Sequence, residues 1–224
     1  MLLHSLQGHW WPLLLAAALA IGPATAARGL SGQPAADGRS LDDRVRAFLD
    51  ARRGTWHDLN VPTADGQALF DVIVERGLTR GLEIGTSTGH SGVWIGWAFS
   101  RTRGRLITLE IDPGRHRQAV DNFRQAGVAA AIDARLGDAH ELVPALPGPF
   151  DFVFIDADKD WYTNYAKAVL PRLVPGGCLT AHNVSPGRRW QVTGDFYDYI
   201  TSLPELETSF RAGVMVSCKR KDVR

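Results

Sequence analysis

From Leu82 onward, the sequence alternates short apolar runs with longer segments of mixed polarity, and this alternation restricts the fold more than any other feature. Apolar side chains fill five of the six positions of Phe150–Ile155, which is typical of a strand buried on both faces. Strands of this kind that alternate with helices predict a mostly parallel sheet with helices on both sides. The predicted strands are Leu82–Ile84, Arg105–Ile111, Ala131–Leu136, Phe150–Ile155, Gly177–Ala181 and Gly213–Lys219.

Apolar residues at helical spacing occur between these strands and in two segments before them. The first N-terminal helix is predicted to begin after Ser40, a favoured N-cap residue, and the second follows Ala64. The fold class is therefore α/β, a doubly wound sheet with added N-terminal helices, in which ligands bind beyond the carboxyl ends of the strands. The other predicted helices are Gly92–Ala98, Gly114–Gln125, His140–Leu146, Trp161–Leu173 and Thr193–Ser202.

The N-terminal segment differs in composition from the rest of the chain. It has no Lys, Arg, Asp or Glu before Arg28, and its apolar run Trp11–Gly22 is followed by Ala24 and Ala26 at the spacing of a signal cleavage site. The run is short for a membrane span, which needs about 20 apolar residues. A cleaved export signal, an uncleaved membrane anchor and a misassigned start of a cytoplasmic protein remain open. The predicted organisation is a signal or anchor over 1–27, a flexible linker over 28–39 and one domain over 40–224.

The charge and the cysteines exclude some classes of protein. Lys and Arg total 25 against 24 Asp and Glu, giving a net charge of +1, so no basic excess points to a nucleic-acid partner. Cys178 and Cys218 are too few for a metal cluster or a disulfide framework. They are either two buried thiols or, in an exported protein, one bridge.

The segment Glu83–Gly92 predicts a strand, a glycine-rich turn and the start of a helix. Gly85 and Gly89 would let a ligand approach the backbone, and the helix N-terminus offers free N–H groups. The G-x-x-x-G spacing differs from the G-x-G-x-x-G of dinucleotide-binding turns. It suits a ligand that has a carboxylate and a nucleoside.

Two acidic residues at neighbouring strand ends extend this prediction. Glu110 ends the second strand, where a doubly wound fold places the acid that binds ribose hydroxyls. Asp138 follows the third strand, where its carboxylate can accept a hydrogen bond from an adenine amino group. Each signal alone is equally typical of structural residues, but together they indicate nucleoside binding.

The segment Asp156–Asp160, with the sequence DADKD, follows the buried fourth strand directly. Asp156 would meet His182 and Asn183, which end the fifth strand, at the same edge of the sheet. Oxygen ligands of this type suit Mg²⁺, and Lys159 could accept a proton from a bound hydroxyl. A polar turn that caps a helix is the alternative.

At this point the chain resembles the class I S-adenosylmethionine-dependent O-methyltransferases of the catechol and caffeoyl-CoA type. The resemblance implies a Rossmann-like sheet of seven strands whose last strand runs antiparallel beside the fifth. It also implies S-adenosylmethionine as cofactor, a small phenolic acceptor and a divalent metal, and it leaves a homodimer open. The stretches that carry it are Ala64–Gln67, Glu83–Ser91, Arg105–Asp112, Gly137–Ala139, Phe152–Tyr162 and Ala181–Val184.

Roles of individual residues follow from this resemblance. Asp156 and Lys159 are implied to be catalytic, Lys159 as the base. Asp156, His182 and Asn183 are implied to hold the metal. The implied cofactor-binding residues are Val61, Glu83, Gly85, Thr86, Gly89, Ser91, Glu110, Ile111, Asp138, Ala139 and Asp156.

His182 departs from the family pattern, which usually has Asp-Asn where this sequence has His182-Asn183. Imidazole suits transition metals such as Zn, Fe or Ni better than Mg²⁺. Altered metal preference, weaker metal dependence, lost activity and a non-ligand His182 that hydrogen-bonds a neighbour all stay open. The rival functions are an S-adenosylmethionine-binding protein without activity and an RNA-modifying methyltransferase, and the balanced charge counts against the second.

Two further predictions concern the cleft mouth and the cysteines. Trp161, Tyr162 and residues 188–190 (Arg-Arg-Trp) would form an aromatic and basic rim for the acceptor, unless they only pack or face solvent. Cys178 and Cys218 would lie at the same end of the sheet in adjacent antiparallel strands, but cross-strand geometry inside a sheet disfavours a bridge.

Overall fold

The computed structural model describes residues 38–57, 59–186 and 191–221. Its helices are α1 (Leu41–Ala51), α2 (Thr63–Arg76), α3 (His90–Thr102), α4 (Pro113–Ala126), α5 (Ala139–Ala145), α6 (Tyr162–Val169) and α7 (Gln191–Ser202). Its strands are β1 (Arg80–Ile84), β2 (Arg105–Glu110), β3 (Ile132–Leu136), β4 (Phe150–Ile155), β5 (Leu173–His182), β6 (Leu206–Arg211) and β7 (Val214–Lys219).

The strands form one sheet in the order β3-β2-β1-β4-β5-β7-β6. Strands β1 to β5 pair in parallel, and β7 pairs antiparallel with both β5 and β6. This confirms the predicted α/β class and the antiparallel strand beside the fifth. Chain order reverses between β1 and β4, which lie side by side, so the crevice for ligands opens at their carboxyl ends.

Alternation along β4 explains how helices cover both faces of the sheet. Val153 and Ile155 pack with α5, α6 and α7 on one face, while Phe152 and Phe154 pack with α2 and α3 on the other. All four side chains are fully buried, which agrees with the apolar run seen in the sequence. A third cluster joins α1, α3 and α4 around Trp94, Trp97 and Phe123.

The predicted helix Trp161–Leu173 is wrong in its extent. A 3-10 turn spans Lys159–Trp161, α6 covers Tyr162–Val169, and a second 3-10 turn covers Leu170–Arg172. Pro171 explains the end of α6, because proline has no N–H for the helical ladder and its ring clashes with the preceding turn. Strand β5 consequently begins at Leu173 and not at Gly177.

Strand β6 was not predicted from the sequence. Only its first residue, Leu206, is buried, and the strand lies at the edge of the sheet. An edge strand with one buried residue shows little alternation of polarity, so its pattern resembles that of a loop.

Cys178 and Cys218 form a disulfide, contrary to the expectation that cross-strand geometry would prevent it. They face each other directly in the register of β5 and β7, with a Cα–Cα distance of 4.0 Å. Both side chains lie in the core between the sheet and α2 and α3. The register of two strands decides this pairing, and residue spacing alone cannot predict it.

Several predictions fall outside the described residues. These are the signal or anchor over 1–27, nearly all of the linker over 28–39, and residues 188–190 of the expected acceptor rim. Within 38–57, 59–186 and 191–221, no helix combines the length and the apolar character needed to cross a membrane.

Candidate active site

The glycine-rich turn after β1 brings the cofactor-binding and chemical halves of the predicted site into contact. Gly85 has φ +99°, and a Cβ at this position would lie 2.7 Å from Cβ of Ala157, which follows β4. Only glycine fits both the backbone conformation and the space. The Gly85 turn therefore lies directly against the start of the DADKD segment.

Glu83 is a fully buried carboxylate below this turn. Its Oε2 accepts a hydrogen bond from Thr108 at 2.5 Å, and Thr86 donates to the Thr108 hydroxyl in turn. Ser91 also donates to Glu83, but Oε1 has no partner among the protein atoms. Burial, with smaller contributions from Asp156 and the second acid Glu110, raises the pKa of Glu83 to about 7.

An unpartnered oxygen on a buried carboxylate requires an explanation, and a bound ligand or a water molecule would complete its hydrogen bonds. The ammonium group of an amino-acid moiety would supply both a donor and a compensating charge. This fits the prediction that the turn binds a ligand with an amino-acid end and a nucleoside end.

Glu110 is held at the end of β2 by two backbone donors. Ser87 N–H donates to Oε2 at 2.7 Å, and Asp112 N–H donates to Oε1 at 2.9 Å. Each carboxylate oxygen keeps a second lone pair, so both can still accept from a ribose diol. Glu110 lines a cavity of about 300 Å³ that also reaches Asp138 and Ala139.

The far wall of this cavity contains a pair that the sequence did not indicate. His140 Nε2 lies 2.6 Å from Oδ2 of Asp158, and the His140 ring stacks on Trp161 at 4.0 Å between centroids. Trp161 thus packs beside the cavity that Glu110 and His140 line, whereas it was predicted in the acceptor rim. Asp138 caps α5 through His140 N–H at 2.8 Å, which leaves its second oxygen for a ligand.

A second cavity of about 410 Å³ joins the cofactor side to the chemical side. It is lined by Gly85 and Glu110 on one side and by Asp156, Lys159 and Asn183 on the other, with His182 also in its wall. Lys159 Nζ lies 3.9 Å from Oδ1 of Asp156. The two residues predicted to be catalytic are therefore adjacent and reach the same space as Gly85.

Tyr162 lies below this cavity and not at its rim. Its side chain is fully buried, and its hydroxyl donates to Asp156 Oδ1 at 3.4 Å and to the His182 carbonyl at 3.3 Å. Burial, reinforced by Asp156, keeps the pKa of Tyr162 well above its usual value. Tyr162 is therefore a neutral donor that supports Asp156, and the prediction that it contacts the acceptor at the surface is wrong.

His182 bridges two carboxylates. Nε2 is 2.9 Å from Oδ2 of Asp65, and Nδ1 is 3.4 Å from Oδ1 of Asp156. Burial lowers the pKa of His182, but the hydrogen bond and charge of Asp156 and the charge of Asp65 outweigh it and raise the pKa. The imidazole is thus held as a donor between two acceptors.

This arrangement does not fit the metal implied by the family resemblance. A ring nitrogen binds a metal only through a free lone pair, and the two nitrogens of His182 lie 2.9 Å and 3.4 Å from carboxylate oxygens of Asp65 and Asp156. Across the part of the chain that the structure describes, no group of three or more His, Cys, Asp or Glu side chains is arranged to hold a metal ion.

Other predicted cofactor residues lie at different depths. Val61 is buried, and its carbonyl accepts from His90 Nδ1 at 2.8 Å. Leu59 and Asn60, and not Val61, line the cavity of about 410 Å³. Buried beneath the glycine turn are Thr86 and Ser91, while Ile111 is 65% exposed at the cavity edge. The assigned roles of these residues in binding stay predictions.

Asp65 is the central residue that sequence reasoning did not assign to the site. It belongs to Ala64–Gln67, one of the stretches that carry the resemblance. This membership was the sequence signal that could have assigned Asp65 to the site. Its contact with His182 joins α2 to β5, and no spacing rule connects these elements.

Similar proteins are known for the central part of the chain. Residues 82–184 match a family model described as a methyltransferase domain. A catechol O-methyltransferase of Niastella koreensis is 42% identical over 107 residues, which cover 46% of this chain and 48% of that protein. Over this part, the chain is similar to catechol and caffeoyl-CoA O-methyltransferases.

Two further comparisons support that statement. Caffeoyl-CoA O-methyltransferase 2 of Zea mays is 31% identical over 134 residues, or 57% of this chain and 50% of that one. The solved structure of the O-methyltransferase TomG from Streptomyces achromogenes, involved in tomaymycin synthesis and in complex with S-adenosylmethionine, aligns with a TM-score of 0.66. It is 26% identical and covers 80% of this chain and 90% of its own. The chain spans about half the length of the relatives matched by sequence.

Proposed function

We propose that this protein transfers the methyl group of S-adenosylmethionine to a hydroxyl of a small phenolic or catechol-like acceptor. The observation that carries the proposal is that Gly85 and Glu110 line the same cavity of about 410 Å³ as Asp156 and Lys159. The sequence relatives are named catechol and caffeoyl-CoA O-methyltransferases, and TomG was solved in complex with S-adenosylmethionine. These comparisons support the choice of cofactor and of acceptor class.

S-adenosylmethionine supplies an electrophilic methyl group on a sulfonium. Glu110 would hold its ribose and Glu83 its ammonium, and the Gly85 turn would bound the cavity in which the cofactor would lie. Lys159 would take the proton from the acceptor hydroxyl. The oxygen then forms a bond to the methyl carbon as the carbon–sulfur bond breaks, and its electron pair stays on sulfur, which gives S-adenosylhomocysteine and the methyl ether.

Metal assistance was expected from the family resemblance through Asp156, His182 and Asn183. No step of the proposed reaction is assigned to a metal, because the His182 nitrogens are engaged by Asp65 and Asp156. The residues of this chain would instead position the acceptor and accept its proton. A homodimer remains a prediction.

Replacement of Lys159 tests the proposal. Lys159→Ala should lower turnover of catechol by about 10²- to 10⁴-fold, the usual contribution of a positioned base, while calorimetry should show unchanged S-adenosylmethionine binding. Lys167→Ala is the matched control, because Lys167 lies on α6 and contacts the ring of Tyr199 instead. Turnover of Lys159→Ala equal to that of the control would remove Lys159 from the mechanism.

A second function is an S-adenosylmethionine-binding protein that transfers no methyl group. The specific observation in its favour is His182, which fills the place of the family's usual aspartate and binds two carboxylates. Cofactor binding without turnover on any catechol or phenol, with or without added divalent metal, would establish this function.

We also propose that the protein is exported, or anchored in a membrane if the N-terminal segment is not cleaved. The buried bridge between Cys178 and Cys218 supports an oxidising location. Mass spectrometry of the protein purified from its own cells tests this, because cleavage after residue 26 or 27 would remove the whole apolar run. An intact N-terminus in a soluble cytoplasmic fraction would contradict the proposal.

A further inference from the structure

His182 lies between two carboxylates that come from different parts of the chain. Asp65 is in the first turn of α2, and Asp156 follows β4. The His182 ring contacts Asp65 through Nε2 at 2.9 Å and Asp156 through Nδ1 at 3.4 Å. A nitrogen that donates a hydrogen bond has no lone pair for a metal, and the ring fills the space between the two carboxylates.

A third element, the turn between β6 and β7, holds Asp65 in contact with His182. Asp65 is only 4% exposed, and its Oδ1 accepts from Gly213 N–H at 2.7 Å. A Cβ on Gly213 would lie 2.6 Å from Oδ2 of Asp65, so the turn between β6 and β7 reaches Asp65 only because this residue is glycine. His182 is itself opposite Val214 in the register of β5 and β7.

The space between the two carboxylates is already occupied. The His182 ring lies between Asp65 and Asp156, and Lys159 Nζ lies 3.9 Å from Oδ1 of Asp156. A divalent ion that bound both carboxylates would have to displace the imidazole from between them and bind beside the Lys159 side chain.

We propose that His182 takes the place of the divalent cation in this site, so that the protein binds no catalytic metal and methylates its acceptor without one. The statement about methylation rests on the proposed function, whereas the statement about metal binding does not. A site without a metal should differ from a metal site in the acceptors that it can methylate. A metal holds two neighbouring oxygens of a catechol, while this site requires only one hydroxyl within reach of Lys159, so phenols with a single hydroxyl should be accepted.

Direct titration of Mn²⁺ and of Zn²⁺ into the full chain tests metal binding, with and without S-adenosylhomocysteine. Electron paramagnetic resonance counts free Mn²⁺, and calorimetry follows Zn²⁺. The wild type should show no saturable site below about 1 mM. His182→Asp should gain one Mn²⁺ site per chain, at least about 100-fold tighter than any site of the wild type, because it removes the imidazole and supplies a carboxylate oxygen.

His182→Gln is the matched control, since it removes the imidazole but adds no carboxylate, and it should gain no site. A saturable wild-type site for either ion that is tighter than about 1 mM would overturn the proposal, and its loss in His182→Gln would assign the ion to His182. The proposal is also overturned if His182→Asp binds S-adenosylhomocysteine normally and yet gains no Mn²⁺ site. The wild-type titration decides the question even if a variant does not fold.

Turnover supplies the second readout. Wild-type methylation of a phenol with one hydroxyl should change less than about twofold in EDTA, and loss of activity in EDTA with recovery in Mg²⁺ would overturn the proposal. Absence of turnover in every condition would refute the proposed O-methyl transfer, and the Mn²⁺ titration would still decide whether His182 replaces the metal.

Discussion

Glu83 allows a test in which one substitution should raise stability and weaken cofactor binding. Its pKa is raised from 4.5 to about 7 by burial. Between these values the folded protein retains a proton that the unfolded chain has released, so folding stability falls as the pH rises. The full effect is about 3 kcal/mol, and most of it falls between pH 5 and pH 8.

Glu83→Gln removes this titration but keeps the shape and one acceptor oxygen of the side chain. The free energy of unfolding of the variant, relative to the wild type, should therefore rise by about 2 to 3 kcal/mol from pH 5 to pH 8. Urea unfolding followed by tryptophan fluorescence at several pH values measures it. S-adenosylmethionine binding at pH 8 should weaken by about 10- to 100-fold, because a hydrogen bond to a charged group is lost.

The matched control is Glu75→Gln. Glu75 is an exposed carboxylate that pairs with Arg211 on the surface, and its replacement should leave the pH dependence of stability as in the wild type. If the free energies of unfolding of Glu83→Gln and the wild type differ by the same amount at every pH, the reasoning is refuted, because the buried carboxylate would then not titrate between pH 5 and pH 8.

Three further predictions concern the frame of the site. The Cys178–Cys218 bridge closes a loop with a sequence separation of 40, so replacing both cysteines with alanine should lower the free energy of unfolding in urea by ~4 kcal/mol; a loss below ~1 kcal/mol would contradict this. Gly85→Ala forces a left-handed backbone on alanine and a contact with Ala157, so thermal unfolding should show a loss of at least ~2 kcal/mol, and a stability equal to the wild type would contradict it. Glu110→Gln replaces an acceptor of two backbone N–H groups, so calorimetry should show at least about tenfold weaker S-adenosylhomocysteine binding, and unchanged affinity would remove Glu110 from the cofactor site.

The position of Glu110, Asp138 and Gly85 at the carboxyl edge of the sheet could be predicted from the sequence, because it depends on local patterns. Each parallel strand is an apolar run, and the residue that follows the run lies at the carboxyl edge of the sheet. Glu110 and Asp138 were placed by this rule alone, and Gly85 by the turn after β1. Nothing beyond strand ends and their order was needed.

The centre of the site could not be predicted in the same way. The partner of His182 is Asp65, and their contact depends on how α2 packs across β5 and on the approach of the β6–β7 turn at Gly213. These are tertiary distances with no signature in spacing. The sequence did identify His182 as the departure from the family, but not the carboxylate that binds it.

Strand β7 is synthesised after β5 and β6, yet it lies between them in the sheet. Until β7 inserts, β5 therefore keeps an open edge and β6 has no neighbouring strand. Open strand edges are where incompletely folded chains aggregate, so insertion of β7 closes both edges at once. Because the turn into β7 also holds Asp65, the His182 cluster is completed only when β7 inserts.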